Sequence, residues 1–358
     1  MKNDPQVAKV KPNIYYKVGV GSLAIPEAPR KELLNSDIQA GGQILPWGVE
    51  RVRGPYDGTG KTAWIMDTGI DLDHPDLNVD VNRSISFIAG EDPDDFHGHG
   101  THVAGILAAI DNDIDAVGVA AGATVVAVKV CQDAFPQPVC PTNAILDGIE
   151  YVTNNANSHE MVNMSIWGPA DSDLDNAIIS AASNSIPFTI SAGNASDDAS
   201  NYSPGRANHY NIRTISAFRE GDIFAFEFPT HSNFGNPPVD FAGPGENIFS
   251  LWRNGGTQTI SGTSMAAPHV AGIRLAVAPF DPDSPLDNPV PTDGTINGDQ
   301  DSNPDRIAVL PSDLSVFISG SSFVTNGQTG HWDAIFSGGE DPFSYMWFRN
   351  VYQYPLWE

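Results

Sequence analysis

Residues 62–77 read "TAWIMDTGIDLDHPDL". Ala63, Trp64, Ile65 and Met66 form an unbroken apolar run, the pattern of a strand buried on both faces rather than one with a wet side. The run ends on Asp67, and a glycine turn follows at Gly69. In open α/β sheets the carboxyl ends of strands are where reactive side chains are presented. Asp67 is therefore the first candidate functional residue.

Outward from this stretch the same texture repeats. "TVVAVKV" (124–130), "MVNMSI" (161–166), "PFTISAGN" (187–194) and "NIRTISA" (211–217) read as strands, while "PTNAILDGIEYVTNNA" (141–156) and "DLDNAIISAASNS" (173–185) read as amphipathic helices. Apolar strands alternating with helices predict an α/β fold of three layers, with a mostly parallel central sheet covered by helices on both faces. Residues 43–278 carry this pattern. Residues 1–42 show little periodicity and read as a leader or pro-segment remnant. Residues 279–311 are dense in Pro, Asp and Asn, the composition of an acidic linker, and Asp299, Asp301, Asn303 and Asp305 within it read as solvated. From Leu314 short aromatic and β-branched runs with glycine turns suggest a partial β-sandwich over 312–358. About 45 residues are too few for a complete sandwich of ~100, so the expectation is an incomplete immunoglobulin-like β tail.

The chain has 358 residues, 18 basic and 44 acidic, for a formal charge of -26. Such a surface repels nucleic acid and anionic membranes and attracts cations. No apolar run reaches the ~18 residues of a membrane span. The opening "MKNDPQVAKVKPN" lacks the apolar core of a signal peptide, so either export information has been removed or the protein stays inside the cell. Cys131 and Cys140 bracket "CQDAFPQPVC", which an oxidising compartment would close as a disulfide and a reducing one would leave open.

Three histidines fall within "DFHGHGTH" (95–102): His97, His99 and His102. Imidazoles this close could bind zinc. Two further segments bear on them. In "HGHGTHVAGIL" a glycine-flanked imidazole, His99, opens a helix, and in "SGTSMAAPHVAGI" (261–273) the hydroxyl of Ser264 stands at the start of another. With the Asp67 segment these give three blocks in the order Asp, His, Ser, and together they closely resemble the subtilisin-like serine proteases across about 240 residues.

That resemblance implies roles. Ser264 matches the nucleophile, His99 the base that takes its proton, and Asp67 the carboxylate that orients His99. "ISAGNAS" supplies Asn194, matching the side-chain amide of an oxyanion hole whose second donor is the Ser264 backbone N–H. Ser165, Ile166, Trp167 and Gly168 match the strand that pairs with an extended substrate, with Ala192 and Gly193 beside it. Trp167 stands where many family members have glycine, which implies a narrowed pocket or a structural aromatic. The Cys131–Cys140 loop matches the opposite rim. His102 is expected to pack within its helix, and His97, with no role to transfer, to be exposed.

The resemblance also implies structural calcium. "AAIDNDIDAVGVA" (108–120) matches the family's calcium loop and would supply the Asn112 side chain and the carbonyls of Ile110, Ile114 and Ala116. Asp76 and Gln43 match the remaining ligands, completing the all-oxygen shell that calcium favours. The implied function is a secreted, calcium-stabilised serine endopeptidase, monomeric, acting on polypeptides through an acyl-enzyme. A non-catalytic binding or adhesion protein on a protease scaffold is the alternative, and it would need a triad member lost. A zinc hydrolase would need a further acidic ligand beside the histidines.

Overall fold

The computed structural model describes residues 12–18, 42–133, 138–220, 231–277, 292–296, 299–301, 303–310, 315–320 and 332–337. The expected leader falls mostly outside these residues, as do positions 279–291. The chain divides into two units, Met1–Leu310 and Pro311–Glu358.

In the first unit the apolar runs become strands of one ten-stranded sheet. Thr62–Asp67 is one of its inner strands, hydrogen-bonded in parallel to Thr124–Lys129 on one side and Met161–Met164 on the other. Phe188–Ser191, Ile212–Phe218 and Val239–Pro244 continue the parallel order outward. The alternation of side chains in a strand explains why Thr62–Asp67 had to be apolar throughout. Trp64 and Met66 face helices α3 (Thr142–Asn155) and α4 (Ser172–Ser183), with Ile145, Ile149, Leu174 and Ile178 in the same core. Ala63 and Ile65 face α2 (His99–Ala108) and α5 (Thr263–Ala276), packing with Val103, Leu107, Ala271 and Leu275. Each of the larger aliphatic side chains here is fully buried and contributes about 1.5–3 kcal/mol. A short α1 (Trp47–Arg51) precedes them. No helix among the described residues is long and apolar enough to cross a membrane.

The stretch read as a linker is partly corrected. Thr292–Thr295 and Arg306–Ala308 pair with each other, and Arg306–Ala308 adds to the edge of the main sheet through Ala242 and Ile307. Ile307, Ala308, Val309 and Leu310 are buried, and Leu310 N donates to Val52 O at 2.8 Å. The acidic composition hid this short apolar run. Asp305, expected to be solvated, is 1 % exposed: its N–H donates to Asp299 Oδ2 at 3.0 Å, its carboxylate accepts from Ser216, and burial pushes its pKa up to about 7.

In the second unit Ser315–Gly320 and Trp332–Ser337 form one antiparallel pair. The remainder of the expected immunoglobulin-like tail lies outside the described residues.

The three histidines go to three environments. His97 is fully buried rather than exposed, its ring 6.1 Å from Trp252, and burial first, then the neighbouring His99, pushes its pKa down to about 4. Gly98 (φ +109°) allows this, because it has no Cβ to strike the Trp252 ring. His102 is also buried, but its bond leaves the helix: Nε2 faces Ile248 O and Gln258 O, each at 3.1 Å. Burial lowers its pKa to about 3. An unfolded chain would protonate this ring near pH 6.5, so His102 costs no stability above that pH and progressively destabilises the fold from there down toward pH 3. Replacing His102 with Gln should flatten the acid slope of unfolding free energy by about 1.4 kcal/mol per pH unit in that window. Urea titrations at pH 5, 6, 7 and 8 test this.

Candidate active site

At the carboxyl end of strand Thr62–Asp67, Asp67 Oδ1 lies 2.7 Å from His99 Nδ1, and both side chains are fully buried. His99 begins α2, and Gly100 lets that turn approach, since a Cβ there would lie 2.0 Å from Gly69 O. A carboxylate accepts, so Nδ1 carries the proton and Nε2 is the basic nitrogen. His99 Nε2 is buried and has no hydrogen-bond partner.

Ser264 is the second residue of α5, where the first turn leaves backbone N–H groups without helical acceptors. Its hydroxyl donates to Ser165 O at 2.9 Å rather than to His99. The Ser165 hydroxyl in turn donates to Ser264 O at 2.9 Å, so the two residues are doubly joined. The second bond is available because Pro268, four residues along α5, has no N–H to give the Ser264 carbonyl.

Asn194 follows strand Phe188–Ser191 and Gly193, which takes φ +101°. Its Oδ1 accepts from Thr263 N at 3.0 Å and Thr263 Oγ1 at 3.1 Å. Those donors fix the amide's orientation and turn Nδ2, which is buried without an acceptor, away from them. The role of Thr263 had no sequence signal beyond its adjacency to the serine.

Ile166–Pro169 is flanked by a strand from the chain's own N-terminal segment. Tyr15–Val18 runs antiparallel to it, with Lys17 opposite Trp167 and Val18 opposite Ile166. Its other edge pairs with Val139–Pro141, which places Cys140 opposite Tyr16. Cys131 and Cys140 are disulfide-bonded, so this outer strand is tied covalently to the end of Thr124–Lys129. Tyr16 and Val18 are buried, whereas Tyr15 and Lys17 face outward. The Tyr16 ring occupies the space a Cβ at Gly168 would need, 2.5 Å away, and its hydroxyl donates to Pro169 O at 3.2 Å. Trp167 packs edge-on against Tyr202, with ring centroids 5.3 Å apart, and lies across Gly193. Ala192, buried, closes the end of Phe188–Ser191 through its N–H to Ile215 O at 2.9 Å. This N-terminal strand escaped the sequence reading, because four residues of alternating pattern in an otherwise aperiodic segment carry too little signal.

The six residues expected around calcium also come together. Asp76, fully buried, accepts from Asn112 Nδ2 at 2.7 Å and from Ala116 N at 3.3 Å. Gln43 Nε2 reaches Ile110 O at 2.8 Å and Ala116 O at 3.1 Å, while Asn112 Oδ1 accepts from Ile114 N at 2.8 Å. Burial pushes the Asp76 pKa up to about 7. A buried carboxylate surrounded by amides and carbonyls, with no basic side chain bonded to it, is a donor set that fits a hard divalent cation. Elsewhere among the described residues, no three His, Cys, Asp or Glu side chains gather as a metal cluster, and the three histidines do not face one point.

A buried acid holds an imidazole at the carboxyl end of a parallel strand, and a serine stands at the start of a second helix that shares a core with the first. A subtilase family model matches residues 58–282. The chain is 36% identical over 252 residues to Proteinase T of Parengyodontium album, covering 66% of this chain and 81% of that protein. It is 35% identical over 240 residues to alkaline serine exoprotease A of Vibrio alginolyticus, covering 63% of this chain and 42% of the relative. With the subtilisin-like serine protease AsES of Sarocladium strictum it shares 36% identity over 249 residues, 65% of this chain and 60% of the other. The chain thus spans less than two thirds of two of these relatives. Among solved structures, that of a cold adapted subtilisin-like serine proteinase superposes with a TM-score of 0.61 and 29% identity, covering 75% of this chain and 98% of the other. The chain belongs to the subtilase family.

Proposed function

We propose that the protein is a serine endopeptidase that cleaves extended polypeptide segments through Asp67, His99 and Ser264. The observation that carries this reading is a pair of buried groups with nothing to bond: His99 Nε2, a base, and Asn194 Nδ2, a donor. Buried polar atoms are nearly always satisfied, so each exception calls for a partner, and a peptide substrate would supply one for both of these.

In this reading Ser264 Oγ turns from Ser165 O to His99 Nε2. As the oxygen attacks a peptide carbonyl carbon, its proton passes to Nε2, and Asp67 stabilises the imidazolium through Nδ1–H. The carbonyl oxygen becomes an oxyanion and accepts from Asn194 Nδ2 and Ser264 N. The tetrahedral adduct collapses with rupture of the C–N bond. Nε2–H protonates the departing amine, which leaves Ser264 acylated. Water then repeats the sequence, giving its proton to Nε2 and its oxygen to the acyl carbon, and Ser264 is released with its proton restored.

The substrate reading draws support from strand Tyr15–Val18, whose antiparallel pairing on Ile166 and Trp167 is that of a bound extended peptide. Alternate burial of Tyr16 and Val18 favours peptides with apolar side chains at those two positions. Among the described residues no carboxylate is bonded to Ile166, Trp167 or Gly168, and we read the preference at the cut as apolar or broad. The disulfide supports a site of action outside the reducing cytoplasm, in keeping with secretion. A serine-directed phosphonate should abolish cleavage of a peptide library and a zinc chelator should not. The reverse pattern refutes the assignment.

Calcium held by Gln43, Asp76, Asn112 and the carbonyls of Ile110, Ile114 and Ala116 would neutralise the Asp76 charge and tie the loop after α2 to residue 43. At free calcium about a hundred times Kd, chelation should lower Tm by about 5–10 °C while the reaction centre stays intact. An unchanged Tm by scanning calorimetry contradicts this ligand set.

A further inference from the structure

Asp95 accepts five hydrogen bonds on one carboxylate, and the chain's two reactive segments meet on it. Its Oδ1 takes Thr68 Oγ1 at 2.9 Å, His97 N at 3.1 Å and Gly98 N at 2.8 Å. Its Oδ2 takes Thr101 N at 2.9 Å and Thr101 Oγ1 at 2.7 Å. The side chain is 3 % exposed, so water does not compete for these sites.

The two hydroxyls extend the connection. Each spends its single proton on Asp95 and so accepts elsewhere: Thr68 Oγ1 from Gly100 N at 2.9 Å, and Thr101 Oγ1 from Asp71 N at 2.9 Å. Thr68 directly follows Asp67, and its N–H donates at 2.8 Å to Asp67 Oδ1, the same oxygen that receives His99 Nδ1. Gly98, Gly100 and Thr101 surround His99 in the chain. Every direction in this network follows from Asp95 accepting at both of its oxygens.

We propose that Asp95 is a positioning residue for the reaction: it clamps the start of α2 to the end of the Asp67 strand and so fixes the separation of His99 and Asp67. The inference rests on the reading of Asp67, His99 and Ser264 as the reaction centre. Asparagine has nearly the same shape but replaces one acceptor oxygen by an NH2. In either orientation that NH2 meets at least one backbone N–H, which cannot reverse, so His97 and Gly98 or Thr101 lose their acceptor.

The test compares the full chain with Asp95→Asn, Thr68→Val and Thr68→Ser. The readouts are the rate of phosphonate labelling of Ser264 against pH, and kcat and KM on a peptide, each normalised to folded protein. Misplacement of a reacting group by about 1 Å costs about 100-fold. Asp95→Asn should therefore label about 100-fold more slowly, lower kcat with KM changed less than about threefold, and move the acid limb of labelling to lower pH, because the imidazolium loses a nearby anion and its close contact with Asp67. Thr68→Val should slow labelling about tenfold, a scale set by one lost hydrogen bond near 1.4 kcal/mol, and Thr68→Ser should restore it. Should Asp95→Asn fail to fold, the Thr68 pair decides. A folded Asp95→Asn that labels at the wild-type rate with an unmoved acid limb overturns the proposal, even if its Tm falls. A wild-type chain that takes no label at all overturns the protease reading, and this inference with it.

Discussion

Ser264→Ala should lose peptide cleavage by about 10⁶-fold, the scale on which such triads fail when one acting member is removed. Stability should barely move. The substitution keeps the backbone of α5 and a small side chain in a buried position, and removes one hydrogen bond, Oγ to Ser165 O. Such a bond contributes about 1 kcal/mol, a shift of a few degrees in Tm at most. The bond from Ser165 Oγ to Ser264 O survives, so the groove strand stays attached. Digestion of a denatured protein substrate, followed by mass spectrometry, reads the result. Cleavage above one part in a thousand by a carefully purified variant would mean that another group is the nucleophile.

The second large effect should come from Tyr16. As long as Tyr15–Val18 sits between Ile166–Pro169 and Val139–Pro141, both edges of the proposed peptide groove are taken. Tyr16 is the anchor, fully buried against Gly168. Truncating a buried aromatic to alanine costs about 3–5 kcal/mol. Part of that falls on the occupied state alone, so Tyr16→Ala should raise the population of open groove by about 100-fold or more. Initial rates on a short peptide should rise accordingly, up to the limit set by the chemistry, and deletion of residues 1–41 should reach the same limit. A synthetic peptide spanning residues 12–18 should then inhibit the deleted form, although far more weakly than the tethered strand, because tethering supplies an effective concentration near millimolar. Unchanged or lower rates in Tyr16→Ala would show that the strand supports the groove and does not obstruct it.

Much of the architecture was legible because burial leaves a periodic trace. Thr62–Asp67 is apolar on both faces since helices cover both faces, and its closing aspartate stands out against that run. The order of the Asp67, His99 and Ser264 blocks was equally plain. What stayed hidden has physical reasons. Arg306–Ala308 adds only three residues to a sheet edge beneath a cover of aspartates and asparagines, so composition outweighed pattern. His97 looked exposed because its burial depends on Trp252, 155 positions away, filling the space above Gly98. Asp95 resembled any other acid in an acidic chain. Its importance lies in five donors arriving from both sides of the site, and most of those are backbone groups that no residue name records.

Pro268 gives the serine helix a missing rung, and the vacancy is filled from outside by Ser165. Two reciprocal hydrogen bonds then join Ser264 to Ser165, which in the proposed mechanism are the nucleophile and the residue just before the peptide-pairing strand. Any tug on that strand is felt at the serine through two short serine hydroxyls, without passing through a loop. In the proposed mechanism docking and attack are thereby one machine part, hinged on an amide hydrogen that proline does not have.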